Sequence, residues 1–180
     1  MIRAATDQDL PAIQAIYAHH VLHGLGTFEE VPPPVEELGQ RLANVRARGL
    51  PWLVWDEAGE VLGYAYAGPF RPRAAYRYTV EDSVYVAPGA ARRGIGRALL
   101  GEVITACEGM GLRQMVAVIG DSGNQGSIAV HKACGFELKG VFPGLGWKFG
   151  RWVDVVWMQR PLNGGAEQAP DAPGLSLSGA

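Results

Sequence analysis

Cysteine is nearly missing from this sequence. Two thiols, Cys107 and Cys134, occur in 180 residues, which excludes a disulfide framework. Each sits in an apolar helical pattern, so both are expected as buried free thiols. Long apolar runs are missing too. Nothing approaches the roughly 18 apolar residues of a membrane span, and the N-terminus, bracketed by Arg3 and Asp7, lacks the pattern of a secretory signal. Nor is there an excess of either charge: 16 Lys and Arg stand against 18 Asp and Glu, a net charge of −2. That balance argues against broad nucleic-acid affinity, and the cluster Arg92, Arg93 and Arg97 is too small to reverse it. The expectation is a cytoplasmic protein with neither a nucleic-acid nor a membrane partner. His19 and His23 have the i, i+4 spacing of a ligand pair, but no third ligand is evident, so no metal site is expected.

What is present is an apolar share of 48%, enough for one core of ordinary size. Ile2 to Ala5 reads as a short strand. Thr6 or Asp7 reads as an N-cap, and Leu10, Ile13, Ile16 and Tyr17 mark the buried face of a helix running to about His23. After the loop "GLGTFEEVPPP", Val35 to Arg48 reads as a second helix, opened by prolines and closed by Gly49. Trp52 to Trp55 and Val61 to Ala67 read as strands around a turn from Glu57 to Glu60, and Thr79 to Val86 as a third. A helix from about Gly96, a strand from Gln114 to Ile119 and a helix from Asn124 to Ala133 come next, then strands from Phe136 to Phe142 and from Trp152 to Arg160. Strands and helices alternate without internal repeats, which predicts one α/β domain around a mixed sheet. From Asn163 to Ala180 aromatics are absent and Gly, Ala, Pro and Ser dominate, so residues 163–180 are expected to form a flexible tail on a domain of residues 1–162.

The stretch "SVYVAPGAARRGIGRALL", residues 83–100, carries the first chemical signal. A half-buried strand ends at Pro88 and Gly89, and apolar spacing at Ala98, Leu99, Val103, Ile104 and Cys107 opens a helix. Gly94 and Gly96 therefore lie at a helix N-terminus. Free backbone N–H groups and a positive dipole end favour an anion there, and glycines let it approach the amides. The dinucleotide fingerprint fails because Leu99 stands where a third glycine belongs, and the Gly-Lys-Ser/Thr of the Walker loop is absent.

Ala91-Arg92-Arg93-Gly94-Ile95-Gly96 resembles the acyl-CoA pyrophosphate loop of the GNAT acetyltransferases, Gln/Arg-x-x-Gly-x-Gly/Ala, with Ala in the first position. "NQGSIAVHKACGF", residues 124–136, is similar to a second motif of that superfamily, one strand later. "AAYRYTVEDSVYV", "AVIG" and "GWKFGRWVDVVWMQR" resemble its phosphinothricin and methionine sulfoximine N-acetyltransferase branch, over about residues 1–162. The resemblance implies a GNAT fold, acetyl-CoA as cosubstrate, a homodimer, and direct transfer of acetyl to the α-amine of a small amino-acid-like acceptor. Two other readings stand beside it: an acetyltransferase for another small amine or a peptide N-terminus, and a catalytically silent acyl-CoA-binding module.

Acetyl transfer to an amine needs a base, because the ammonium form has no free lone pair. Glu81 stands on the strand leading into the loop, where the resemblance implies a glutamate base, and Asp82 next to it points to the opposite face. His131 falls where the resemblance implies a residue near the cofactor sulfur, to protonate the thiolate, orient the thioester or relay a proton. For acetyl-CoA the candidates are Val84, Val86, Arg92, Arg93, Gly94, Ile95, Gly96, Arg97, Asn124 and Ser127. A backbone N–H near Val86 is the candidate oxyanion donor, and Asn124 reads both as a pantetheine contact and as an N-cap. For the acceptor they are Phe28, Glu29, Arg71, Arg73 and Tyr76, with either arginine suited to hold a carboxylate in a bidentate pair. Trp147, Trp152 and Trp157 are expected to pack the core or a dimer face.

Overall fold

A computed structural model describes residues 1–177 of the chain. Its seven-stranded sheet is built from β1 (Ile2–Ala4), β2 (Trp52–Glu57), β3 (Glu60–Pro69), β4 (Thr79–Val86), β5 (Gln114–Gly120), β6 (Glu137–Lys148) and β7 (Arg151–Pro161). The helices are α1 (Leu10–His23), α2 (Val35–Ala47), α3 (Ile95–Gly109) and α4 (Gln125–Ala133), with short 3-10 turns at Asp7–Asp9 and Ala74–Tyr76. In the sheet the strands lie in the order β1-β2-β3-β4-β5-β7-β6.

The helices form where apolar residues recur at helical spacing. α2 buries Leu38, Leu42 and Val45 and carries Glu36 and Glu37 in its first turn, where carboxylates suit the helix dipole. α3 buries Ile95, Leu99, Leu100, Val103, Ile104 and Cys107, each large aliphatic contributing about 1.5–3 kcal/mol relative to exposure. A capping box between Thr6 and Asp9 starts the chain toward α1. β2 and β3 join through Ala58 and Gly59, both at positive φ, the two-residue turn that matches strand twist.

One irregularity positions everything that follows. β4 runs parallel to β5 but pairs with it only from Thr79 to Glu81, against Gln114 to Val116. Beyond Glu81, β4 stays with β3 up to Val86, and β5 stays with β7 up to Gly120. The two strands part, and the sheet opens at its centre.

β6 extends past the expected Phe142 to Lys148. Register breaks between Leu138 and Gly140 and between Phe142 and Gly146 let it absorb Pro143 and Gly144, which read as the end of a strand. Cys107 is buried as expected, but Cys134 is only half-buried, with its thiol on the Arg97 carbonyl. The tail expected to be free from Asn163 onward lies against the domain. Asn163 donates to the carbonyls of Glu108 and Leu112, Arg113 donates to those of Gly165 and Gln168, and Leu175 is buried beside Arg77 and Tyr78. Glycine, alanine and proline offer few side chains to pack, yet these turns deliver their carbonyls to donors of the domain. Residues 178–180 of that tail lie outside the described residues. Among the described residues, no helix is long and apolar enough to cross a membrane.

Candidate active site

A cleft of about 730 Å³ fills the opening between β4 and β5. Its floor is Glu81 to Val86 on one side and Ala117 to Gly120 on the other. Arg92, Gly94, Ile95 and Gly96 close one end, Asn124, Ser127 and His131 of α4 line a wall, and Gly26, Thr27 and Phe28 reach over from the loop after α1.

The loop end follows from its glycines. Gly94 caps α3 at φ +80°, and a Cβ there would meet nothing within 4 Å, so the backbone amides stand open at the helix N-terminus. Gly96, at the same end of the cleft, is buried in α3 and lets the helix settle on Val84 and Val86, whose methyls lie 3.5 Å from where its Cβ would be. Arg92, at φ +63°, lines the cleft. Arg93 does not; its guanidinium bonds Glu57 at 2.6 and 2.9 Å. Arg97 is exposed and outside the lining. Asn124 is the N-cap of α4, accepting from the Ser127 N–H at 3.2 Å while facing the cleft.

Glu81 is half-buried in this wall. Burial raises its pKa; the charge of Arg71 draws it back down and that of Asp82 pushes it further up. A carboxylate with raised affinity for a proton, at the edge of an opening, is suited to general-base work. Asp82, on the opposite face as alternation requires, is also in the cleft lining. It is buried, with Oδ2 2.9 Å from Nε2 of His131. The other ring nitrogen of His131, Nδ1, donates to the Ser127 carbonyl at 2.7 Å.

Sequence reasoning did not single out Asp82 or His20 as partners. The signal for Asp82 was a carboxylate in phase with Val80 on the core face of β4. For His20 it was helical phase with Ile13 and Ile16. His20 Nε2 donates to the Val86 carbonyl at 2.9 Å, and burial lowers its pKa, keeping the ring neutral. Lys148 is a third: buried, its ammonium donates to the Thr27 carbonyl at 2.8 Å and ties β6 to the loop carrying Phe28.

The acceptor candidates separate. Phe28 lines the cleft and covers Gly146 and Gly120. Glu29 is engaged by Arg41 at 2.7 Å and so holds α2 to the loop. Arg71, Arg73 and Tyr76 are exposed and outside the cleft lining; Arg71 lies over the Phe70 ring, and Tyr76 packs edge-on against the same ring. His19 and His23 are exposed, their rings tilted against each other at 4.9 Å between centres. Among the described residues, no three His, Cys, Asp or Glu side chains gather where a metal ion could sit.

The model of the acetyltransferase (GNAT) domain matches residues 2–157. A phosphinothricin N-acetyltransferase of Alcaligenes faecalis is 55% identical over 170 residues, covering 94% of this chain and 86% of that one. An L-methionine sulfoximine/L-methionine sulfone acetyltransferase of Pseudomonas paraeruginosa is 45% identical, covering 90% and 94%. The crystal structure of a GNAT superfamily phosphinothricin acetyltransferase from Sinorhizobium meliloti, in complex with acetyl-CoA, superimposes with a TM-score of 0.91 at 47% identity, covering 94% and 92%. With its motifs in order, the domain model matching most of its length and relatives of this closeness, the chain belongs to the GNAT acetyltransferase family.

Proposed function

We propose that this enzyme acetylates the α-amine of a small amino-acid-like acceptor of the phosphinothricin, methionine sulfoximine or methionine sulfone type. The observation that carries the reading is Glu81, half-buried with a raised pKa, in the wall of the cleft whose far end is the open loop at Gly94. Acetyl-CoA, when bound, supplies an activated acetyl thioester. The free amides before α3, with Arg92, suit its pyrophosphate, and Val84, Val86, Asn124 and Ser127 line the path of its arm. Glu81 accepts the proton from the acceptor ammonium, releasing the lone pair that attacks. A backbone N–H near Val86 steadies the charge developing on the carbonyl oxygen, and the His20 bond to the Val86 carbonyl fixes that end of β4. Phe28 packs on the acceptor side chain. Arg71 holds its carboxylate in preference to Arg73, since Arg71 is the arginine whose charge reaches Glu81.

The protein works in the cytoplasm, where acetyl-CoA is available, and as a homodimer. Trp147 and Trp152 pair across β6 and β7 at 5.2 Å between ring centres while 56% and 66% exposed, on the edge of the sheet, where a partner would cover them. Trp157 is half-buried against Phe70 and Phe142 instead.

Thiol release from acetyl-CoA tests the acceptor. Methionine sulfoximine, methionine sulfone and phosphinothricin should be acetylated, and the matching amines without a carboxylate should not, because the guanidinium would lose its bidentate partner. Equal rates on decarboxylated amines would favour a general amine acetyltransferase. A protein that binds acetyl-CoA and releases no thiol with any amine would be an acyl-CoA-binding module.

A further inference from the structure

His131 has no free nitrogen. Nδ1 faces the Ser127 carbonyl at 2.7 Å, and a carbonyl only accepts, so Nδ1 carries a proton. Nε2 faces Asp82 Oδ2 at 2.9 Å, and the two side chains are 5% and 1% exposed. The ring is held edge-on against Phe136 with centroids 5.1 Å apart. Fixed on three sides, it cannot swing to present a nitrogen to another group without breaking a buried hydrogen bond. A neutral imidazole protonated at Nδ1 has its lone pair at Nε2, and a carboxylate oxygen opposite that lone pair is repulsive unless one proton lies between them.

We propose that Asp82 is a positioning residue for the transfer reaction: it holds His131 as a fixed imidazolium beside the cleft, where its positive charge offsets the negative charge that the departing thiolate brings. This rests on the acetyl-transfer reading above. The imidazole is thus not a free acid whose proton is handed over; it is a standing charge, present before substrate arrives and requiring no reorganisation at the moment of bond breaking. The groups around it are consistent with that role. Burial lowers the proton affinity of His131, but the hydrogen bond and charge of Asp82, together with the Ser127 carbonyl, outweigh it and raise the pKa. Cys107 from α3 is pushed up to about 12 by burial, and burial also raises Cys134 beyond α4, where the charges of Arg97 and Arg160 draw it partly back. Both thiols therefore stay neutral near neutral pH. Glu81, the neighbour on β4, lies on the opposite face of the strand, and burial raises its pKa.

Asp82 also has a second oxygen, Oδ1, buried with no partner among the protein groups. The bond from Oδ2 to His131 is the one hydrogen bond this carboxylate makes to a protein group.

The test has one measurement that needs no turnover and one that does. In protein labelled with ¹⁵N-histidine, both ring nitrogens of His131 should be protonated at neutral pH, with a midpoint above the ordinary histidine value; in Asp82→Asn the midpoint should fall below it, because the amide keeps a hydrogen bond but supplies no charge. Asp82→Asn should lower the single-turnover transfer rate roughly 10²-fold at mildly alkaline pH, with little change in KM for acetyl-CoA. Its descending pH limb should move to lower pH, whereas a variant that only loosened packing would slow turnover without moving that limb. Acetyl donors with a more acidic thiol, such as the thioester of 4-nitrothiophenol, should narrow the deficit, since their thiolate needs less stabilisation.

A neutral His131 at neutral pH in the wild-type protein, a limb that does not move, or an equal deficit with the activated donor would each overturn the proposal. If Asp82→Asn does not fold, the wild-type titration and the donor comparison in His131→Gln still decide it. A wild-type protein that acetylates no amino acid would overturn the functional reading instead, and the histidine titration would then report on the pair alone.

Discussion

In the proposed reaction Glu81 is the proton acceptor, and it stands in a position where burial works against its charge. Glu81→Gln keeps the shape and removes the proton acceptor, so kcat should fall by about 10²- to 10⁴-fold while affinity for acetyl-CoA holds. The deficit should shrink as pH rises and free amine becomes abundant, and the acid limb of kcat/KM in the wild type should lie above the ordinary carboxylate range. Far from the cleft, Asp9 shows the opposite shift. The Arg3 guanidinium at 2.7 Å holds its carboxyl down at about 2 against burial, with the Thr6 amide and hydroxyl adding to the effect. A depressed folded pKa contributes stability that is complete above the unfolded value near 3.8 and is lost as pH falls toward 2. With Arg3 about a third exposed, that contribution is about 1–2 kcal/mol after screening. Urea unfolding of Asp9→Asn should therefore show a deficit of this size at neutral pH that narrows in acid.

Among the elements, those with one clear period were readable in the chain. Ile13, Ile16 and Tyr17 mark α1, and the alternation of Thr79 to Val86 marks β4, because each buries one face only. β6 was cut short because its bulges depend on pairing with β7, a long-range contact that leaves no local trace beyond Pro143 and Gly144. Of the cleft lining, the turn with Arg92, Gly94 and Gly96 was readable from glycines at a helix start, and Glu81 from the family resemblance. The Asp82–His131 pair was not, since it joins residues 49 apart in sequence through the meeting of β4 and α4. Glycines at element ends give the sharpest tests. Gly94→Val forces a β-branched residue to φ +80°, a strain of about 1–3 kcal/mol, and should weaken acetyl-CoA binding by calorimetry, whereas Gly96→Ala meets its neighbours at ordinary contact and should bind nearly as well. Gly120→Ala is the more severe change at the acceptor end. Its Cβ would come within 2.0 Å of the Leu25 carbonyl, so the loop carrying Phe28 must move, and KM for the acceptor should rise more than KM for acetyl-CoA.

For the molecule as a whole, the C-terminal segment is the test of assembly. Leu175 is buried, and its backbone N–H bonds the Arg77 carbonyl next to β4. Deleting residues 164–180 should lower the midpoint of thermal unfolding, with Leu175→Ala alone costing about 2 kcal/mol, while sedimentation of the truncated protein still shows a dimer formed through the tryptophan-bearing edge. A monomer after truncation would move the interface to the tail.

The short pairing between β4 and β5 has a mechanical meaning. Three residues on each strand stitch the β1–β4 leaf to the β5–β7–β6 leaf, so the backbone linkage between the two leaves is short and ends where the cleft begins. Sub-global opening should begin there, and the leaves should fluctuate separately on the timescale of amide exchange. In the proposed binding mode, a cosubstrate in that gap would act as a clasp as well as a reactant. Acetyl-CoA should slow exchange at Asp82 to Val86 and at Ala117 to Gly120 more than at β1 or β6, and the cooperativity of unfolding should rise with its concentration.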